Sequence, residues 1–350
     1  MNITTSPFAP RTEASVWRVP SVPGSSKGGA GDPGRAAGVW RLTIADAPGE
    51  ERRGGKRRGR IVALPNPFAR IVPVAFHADP AAFAAAARGV ASRSPCSEAL
   101  VAIWCANLAR HPPAPDVPLL LATVESNGAR ALAMRFGPNQ LLIEHSDPAA
   151  ARELAHALVD GGHAIPGVEG GVAACAAFAE AWRERTGRVA VERVRLRHHV
   201  LESVEPVAAA SGAMRTADEG DLDWLVVAHD AFADEAKVPR APQGTGRMVR
   251  DRLGERRFRV WEDPAAVSFL GTVLVDGAHA RIGPVYTPPA SRGRGYATAL
   301  VAAASRELLE RGAGRVFLTT DLANPVSNAM YARVGYRPVD DTVGYDFVEP

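Results

Sequence analysis

The segment GPVYTPPASRGRGYATALVAAASRELLER, residues 283–311, carries the strongest structural signal in the sequence. Its second half predicts a helix that ends before Gly312, because five apolar residues repeat on one face: Ala297, Leu300, Val301, Ala304 and Leu308. The predicted helix covers residues 292–311, so the piece RGRGYA lies at its start. Uncovered backbone N–H groups and partial positive charge at that end favour an anion such as a pyrophosphate.

Small and basic residues at this helix start suit a phosphate. Gly295 and Ala297 let a phosphate approach the backbone, and Arg292 and Arg294 add positive charge. A nucleoside-triphosphate loop is disfavoured, because it needs Gly-Lys-Ser/Thr and no lysine lies nearby.

Two other interpretations of the loop remain open. A dinucleotide-binding turn fits Gly293-x-Gly295, with Asp321 as the ribose-binding acid, but Thr298 replaces the third glycine and one strand-helix-strand unit is present. An ordinary turn before a helix is also possible, because a lone glycine fingerprint is a weak signal.

A second informative stretch is TTDLANPVSNAMYARVGYRP, residues 319–338. Asn324 is a favourable helix N-cap, Pro325 suits the first helical position, and the helix is predicted to end before Gly335. Ser327 and Tyr331 are four residues apart and therefore share a face of that helix. Two closing strands are predicted after the helix, at about residues 336–339 and 345–348.

Together these stretches resemble the GNAT (Gcn5-related N-acetyltransferase) superfamily. The matching features are the strand PVYTPP, the loop pattern R-x-x-G-x-A and the pattern N-P-x-S-N-x-x-Y-x-x-x-G-[FY], which begins at Asn324. The resemblance covers about Met214 to Val348 and is of the tandem-domain actinobacterial type with a degenerate N-terminal half. It implies an α/β (α+β) fold of two GNAT-like mixed-sheet domains, the C-terminal one with a V-shaped acetyl-CoA cleft.

The resemblance also implies roles for individual residues. The pantetheine arm of acetyl-CoA would insert between residues 283–287 and 317–321, with the backbone N–H of Val285 as oxyanion donor. Tyr331 would protonate the departing thiolate, unless it is an ordinary core aromatic. The implied cofactor-binding residues are Pro284, Val285, Tyr286, Thr287, Arg292, Gly293, Arg294, Gly295, Tyr296, Ala297, Asn324, Ser327, Asn328 and Tyr331.

The general base has no motif. Glu262, at a predicted strand end, and Glu235, after a predicted helix, are the first candidates, and Asp321 and His229 rank behind them. Each is also consistent with an ordinary solvated group, because acidic side chains are mostly exposed for solvation alone.

The N-terminal half repeats the secondary structure without the phosphate loop. The hairpin glycines Gly128 and Gly277 lie 149 residues apart, which suggests a tandem duplication. The stretch HSDP, residues 145–148, has no glycine and places Asp147 where a phosphate would bind. We therefore expect residues 66–205 to bind no CoA and to be structural or to form a wall of the acceptor pocket, whereas residues 206–350 carry catalysis.

Length and composition fit two globular domains, since the chain has 350 residues, of which 46% are hydrophobic and 23% charged. No run approaches 18 apolar residues, so we expect no membrane span and a cytoplasmic location. The three cysteines are predicted to be small buried residues, and we predict no metal site: Cys96, Cys105 and Cys175.

The net charge of +3 belongs to one decapeptide. Residues 51–60 hold six basic residues and one acidic residue, a charge of +5, so the rest of the chain carries −2. Nucleic-acid binding is therefore disfavoured. The surrounding residues 1–65 are rich in Gly, Pro and Ser and are predicted to be a disordered low-complexity tail.

We therefore predict an N-acetyltransferase that transfers acetyl directly from acetyl-CoA to a primary amine. The expected partner is a small-molecule or peptide amine, and the protein is expected to be a monomer or homodimer. The alternatives are a non-catalytic acyl-CoA-binding or sensing module and, less favoured, an NAD(P)-binding protein.

Overall fold

The computed structural model describes residues 74–88, 95–112, 117–144, 146–238, 240–241, 243–275 and 279–350. The predicted tail with its basic decapeptide, His145 and the Asp276-Gly277 turn lie outside the described residues.

The described part of the N-terminal half alternates strands and helices. Its elements are β1 (Val74–Phe76), α1 (Pro80–Arg88), α2 (Pro95–Arg110), β2 (Leu119–Ser126), β3 (Ala129–Phe136), β4 (Leu141–Ile143), α3 (Pro148–Asp160), β5 (Gly167–Gly171), α4 (Val172–Thr186) and β6 (Val189–Leu201). Strand β5 was not predicted, because its sequence GVEGG holds three glycines and lacks the apolar alternation of a strand.

The C-terminal half has the same succession of elements. They are β7 (Ala213–Thr216), α5 (Leu222–Ala236), α6 (Thr245–Gly254), β8 (Phe258–Glu262), β9 (Ala266–Val275), β10 (His279–Tyr286), α7 (Tyr296–Glu310), β11 (Arg315–Asp321), α8 (Pro325–Val334) and β12 (Arg337–Val348).

Two predicted boundaries in this half are wrong. Helix α7 starts at Tyr296 and not at Arg292, because Gly293 and Gly295 have φ angles of 78° and 82°, which a right-handed helix cannot contain. The two closing strands predicted after Tyr336 are one strand, β12, which is continuous across two register shifts.

All twelve described strands form one mixed sheet in the order β1-β2-β3-β4-β5-β12-β6-β11-β10-β9-β8-β7. The last strand of each half is exchanged, since β12 lies against β5 and β6 lies against β11. Arg197 of β6 and Asp341 of β12 form two parallel hydrogen bonds of 2.6 and 2.8 Å across the exchanged pair. The sequence did not predict this exchange.

Helices cover both faces of the C-terminal part of the sheet. Leu270 of β9 and Val285 of β10 pack toward α7 and α8. Their neighbours along the chain, Phe269 and Tyr286, pack toward α5 and α6 on the other face. This alternation follows from the two-residue period of a strand. The three cysteines are buried and free, as predicted.

No helix within the described residues is long and apolar enough to span a membrane. In the same part of the chain, no group of three or more His, Cys, Asp or Glu side chains is arranged to hold a metal ion.

Candidate active site

Strands β10 and β11 separate along their length. They pair in parallel at three positions, the last of which joins Arg281 to Phe317. Beyond that pair, β10 continues to Tyr286 and β11 to Asp321, and no further pair joins these described residues. The gap exposes backbone N–H and C=O groups on both strands, and an extended amide chain can satisfy such groups.

The glycine-rich loop lies beside this gap, at the N-terminus of α7. Gly295 is the N-cap residue of α7, and its left-handed backbone conformation directs the preceding loop away from the helix axis. The first backbone N–H groups of a helix have no intrahelical acceptor, so this terminus presents several donors and the positive end of the dipole. An anion fits this terminus.

The two arginines of the loop differ in their contacts. Arg292 is engaged, because its Nε donates to the Thr287 carbonyl at 2.9 Å and its guanidinium donates to Glu235 at 2.7 Å. Arg294 is exposed and forms no hydrogen bond with a described residue, and its charge acts on the Asp263 carboxylate. Arg292 therefore fixes the loop, and Arg294 is the cation that is available to a ligand.

Glu235 connects the end of α5 to both β10 and the loop. Its Oε1 accepts a hydrogen bond of 2.7 Å from the Tyr286 hydroxyl, and its Oε2 accepts from Arg292. The hydrogen bond from Tyr286, followed by the contact with Arg292, lowers the pKa of Glu235. Glu235 is therefore ionised at neutral pH and lies beside the strand that lines the gap.

Tyr331 is placed by α8 in the same apolar cluster as Ile282 and Val285 of β10. Its side chain is 8% exposed, and its ring packs edge-on against Tyr336 at 5.9 Å. Burial raises the pKa of Tyr331, so its phenol is protonated at neutral pH. The hydroxyl has no hydrogen-bond partner among the described residues. Tyr331 is thus a core aromatic whose hydroxyl is unused.

The polar residues of the α8 motif hold the helix against β11. Asn324 caps the helix, since its Oδ1 accepts from the Ser327 backbone N–H at 3.1 Å. Asn328 accepts from the Thr320 hydroxyl at 2.6 Å and donates to the Asp321 carbonyl at 3.1 Å. The structure thus engages both asparagine side chains within the protein. The half-buried Ser327 lies one turn before Tyr331.

Two predicted cofactor-binding residues use their side chains elsewhere. The Tyr296 ring is 3% exposed, and its hydroxyl donates to Asp263 at 2.5 Å, so only its backbone faces the loop. The Thr287 hydroxyl is hydrogen-bonded to Ser268 at 2.8 Å. Sequence reasoning missed Asp263, because Asp263-Pro264 reads only as a turn.

The other general-base candidates lie in different surroundings. Glu262 ends β8 and accepts a hydrogen bond of 2.5 Å from Arg215 of β7. Strand β9 separates β8 from β10. Asp321 is exposed and accepts from the Ala323 backbone N–H at 2.8 Å. The His229 ring stacks on Phe269, and burial lowers the pKa of His229.

The corresponding place in the N-terminal half is closed. Strands β4 and β5 pair at three positions, and β4 ends at the third, where Ile143 opposes Gly170. A Cβ atom on Gly170 would lie 2.5 Å from the Ile143 carbonyl oxygen, so the strands are in close contact. Asp147 precedes α3 and accepts from the Arg130 backbone N–H at 2.9 Å.

Comparison with known proteins identifies the segment that contains the gap. A sequence profile described as the acetyltransferase (GNAT) family matches residues 223–336. The chain is 31% identical over 140 residues to a mycothiol acetyltransferase from Clavibacter sepedonicus. The aligned region covers 37% of this chain and 43% of that protein. A protein of the same name from Arthrobacter sp. (strain FB24) is 32% identical over 138 residues, covering 35% and 41% respectively. The match spans less than half the length of these curated relatives.

Solved structures share the fold across both halves. A GCN5-related N-acetyltransferase from Sphaerobacter thermophilus has a TM-score of 0.55 and 18% identity, covering 80% of this chain and 98% of that chain. An acetyltransferase of the GNAT family from Colwellia psychrerythraea has a TM-score of 0.51 and 11% identity, covering 79% and 100%. At these identities the likeness concerns the fold alone.

Proposed function

Since residues 223–336 form a domain of the acetyltransferase (GNAT) family, we propose that the protein is an acetyl-CoA-dependent N-acetyltransferase. One observation carries the proposal: β10 and β11 separate directly beside the glycine-rich N-terminus of α7. A pantetheine arm is an extended chain with amide groups, which suits the gap, and a pyrophosphate suits the helix terminus.

In this proposal the acyl donor is held mainly by backbone groups. Residues 283–287 of β10 and residues 318–321 of β11 pair with the pantetheine amides. The backbone from Gly293 to Ala297 binds the pyrophosphate, and Arg294 contributes charge. Arg292, Asn324 and Asn328 keep the loop and α8 in position, because their side chains bind other parts of the protein.

The bound acyl donor supplies an activated thioester. In the proposed transfer, the acceptor nitrogen forms a bond to the thioester carbonyl carbon and the carbon–sulfur bond breaks. The Val285 backbone N–H stabilises the negative charge on the carbonyl oxygen. Tyr331 donates its proton to the sulfur, and Glu235 accepts the proton that the amine loses.

Glu235 is preferred to Glu262 as the base because of its place in the structure. It accepts a hydrogen bond from Tyr286, the last residue of β10, whereas Glu262 pairs with Arg215 on strands farther from the gap. Both remain candidates in the proposal.

We propose a primary amine of a small molecule or peptide as the acceptor. The sequence relatives are named mycothiol acetyltransferase, and for this reason a mycothiol-related amine belongs among the acceptors to test. Residues 206–350 would form the catalytic domain and residues 66–205 a degenerate partner, and the enzyme would act in the cytoplasm.

The decisive experiment has two steps. Isothermal titration calorimetry with acetyl-CoA and with NADH should show saturable binding of acetyl-CoA alone. Incubation with acetyl-CoA and a panel of small amines and peptides should then release free thiol in an acceptor-dependent manner.

Each alternative gives a different result in this experiment. Tight acetyl-CoA binding without thiol release for any amine would favour the non-catalytic acyl-CoA sensor. Binding of NADH in place of acetyl-CoA would assign the loop to a dinucleotide and contradict the proposal.

A further inference from the structure

A cavity far from the candidate active site has an unusual concentration of arginine. It encloses about 140 Å³ at the end of the sheet, beside β9 residues 272–274. Its charged lining consists of Arg110, Glu255, Arg256, Arg257 and Arg311, and we call it the arginine cavity. Four arginines and one glutamate therefore line the cavity.

The single carboxylate is already shared. Glu255 forms an ion pair with Arg257, accepts a hydrogen bond of 2.7 Å from His111 and lies 3.6 Å from Arg110. Arg311 also forms an ion pair with Glu307, which lies outside the lining and binds Arg259 as well. Against these two carboxylates, the four arginines of the lining keep a formal excess of +2. Oxyanions are the groups that match the fork of a guanidinium, because they accept two parallel hydrogen bonds.

Two further arginines, Arg252 and Arg281, interact through their charges, and Arg252 also interacts with Arg257 and Glu255 of the lining. Neither Arg252 nor Arg281 has a side-chain hydrogen bond or ion pair with another described residue, and the Arg281 Nε is buried. Burial, together with the positive charge of Arg257 and Arg281, lowers the pKa of Arg252 to about 10. Like charges in a partly desolvated region repel one another, and a bound anion would relieve that repulsion.

The arginine cavity is separate from the proposed cofactor site. It contacts Leu308 and Arg311 at the C-terminal end of α7, whereas the glycine loop precedes the N-terminal end. A helix of 15 residues spans about 22 Å at ~1.5 Å per residue. The cavity also joins the two halves, since Arg110 ends α2 and the other arginines belong to the C-terminal half.

We propose that the arginine cavity binds a phosphate-type dianion, either free inorganic phosphate or the phosphoryl group of a larger molecule. The bound dianion bridges α2 of the N-terminal half to the α6–β8 turn and α7 of the C-terminal half. Its binding therefore stabilises the contact between the halves, independently of any acetyl transfer.

The test uses the full chain, saturated with CoA so that the glycine loop is occupied. Inorganic phosphate is titrated against it at constant ionic strength, with binding followed by calorimetry and by the thermal unfolding midpoint. Saturable binding and a rise in the midpoint are expected. Arg256→Gln/Arg311→Gln should weaken phosphate binding about tenfold or more, because charge-assisted hydrogen bonds are lost.

Two control variants distinguish binding in the arginine cavity from general effects of charge. The double variant Arg183→Gln/Arg306→Gln removes two exposed arginines outside the cavity and should bind phosphate like the wild type. The variant Gly295→Asp, tested without CoA, should keep the phosphate response. The proposal is overturned if phosphate does not bind saturably, if both double variants respond alike, or if Gly295→Asp alone abolishes binding.

A second arm distinguishes the two sources of the dianion. Glycerol 3-phosphate replaces inorganic phosphate in the same titrations. Comparable affinity that depends on Arg256 and Arg311 supports a phosphoryl group of a larger molecule, whereas binding of inorganic phosphate alone supports the free ion.

Discussion

The two halves of this sheet use the same order of strands and helices, yet only one of them opens between its central parallel strands. In the C-terminal half, β10 and β11 pair at three positions and then continue for several residues without pairing. In the N-terminal half, β4 stops at its third pair, and Gly170 brings β5 into close contact with Ile143. A ligand site in this fold thus depends on the length of two strands beyond their last shared pair.

The loop that follows the first parallel strand also differs between the two halves. Gly295 begins α7 and leaves backbone donors uncovered, whereas Asp147 precedes α3 with a carboxylate that bonds the Arg130 backbone. One helix start favours an anion and the other carries negative charge of its own. The strand gap and the helix start agree within each half, and four substitutions test whether this difference decides function.

The largest effect is expected from giving the C-terminal loop a carboxylate. Gly295→Asp should reduce acetyl-CoA affinity about 10³-fold or more, because a negative charge would occupy the position of the pyrophosphate. Calorimetric titration measures the loss. Gly295→Asn is the matched control, since asparagine has the same shape, no charge and tolerance for positive φ. Equal losses in both variants would show that backbone strain, and not charge, is responsible.

Removal of the Tyr331 hydroxyl should have the next largest effect. Tyr331→Phe should lower kcat about 10²-fold, the usual range for a general acid, with acetyl-CoA affinity and the unfolding midpoint almost unchanged. The neighbouring Tyr336 provides the control, because its buried hydroxyl bonds Ser305 at 2.8 Å. Tyr336→Phe should cost about 1 kcal/mol of stability and little turnover. An unaltered kcat in Tyr331→Phe would remove the acid role from this residue.

A smaller effect is expected at the carboxylate that bonds Tyr286 and Arg292. Glu235→Gln should lower kcat/KM about tenfold, and Glu262→Gln should change it less than about twofold. The hydrogen bond from Tyr286 and the charge of Arg292 lower the pKa of Glu235. Glu235 therefore stays ionised as the pH falls to about 4.3, the usual pKa of a glutamate side chain.

A pH–rate profile provides the second readout for Glu235. In the wild type, any loss of activity between neutral pH and about pH 5 should come from protonation of the amine acceptor, and not from Glu235. A loss in this range that persists with an amine of lower pKa and disappears in Glu235→Gln would contradict this assignment.

The smallest effect on acetyl-CoA affinity is expected from a substitution in the N-terminal half. Gly170→Ala should destabilise the fold by about 2 kcal/mol, because the added Cβ would approach the Ile143 carbonyl oxygen at 2.5 Å and Gly170 has a φ of 153°. Thermal unfolding measures the loss, and acetyl-CoA affinity should stay within about twofold. Gly171→Ala has open space around its Cβ and is the control. A large loss of acetyl-CoA affinity in Gly170→Ala would show that the closed half contributes to binding.

Much of the C-terminal half could be predicted from the sequence, because its signals are local. The N-cap of α8 at Asn324, the proline that follows it and the left-handed Gly335 at its end appear in the structure as expected. The start of α7 was predicted four residues early, since its apolar periodicity does not show that two glycines hold the preceding loop out of the helix. Strand β5 was missed for a related reason: its pairing with β4 and β12, and not its composition, makes it a strand.

Side-chain partners in the site were less predictable than its backbone. Arg292 was expected to add charge for a phosphate, yet it bonds Glu235 and Thr287. Glu235 lies 57 residues from Arg292 along the chain, so no local pattern could pair them.

The sequence by itself determined the start and end of α8, the end of α7, and which half has a glycine-rich loop before a helix. These properties follow from backbone sterics and charge within a few residues. Tertiary structure alone decided the exchange of β6 and β12, the gap between β10 and β11, the pairing of Glu235 with Tyr286 and Arg292, and the arginine cavity between the halves. Each of these depends on contacts between residues far apart in the chain, and only the packed sheet brings those residues together.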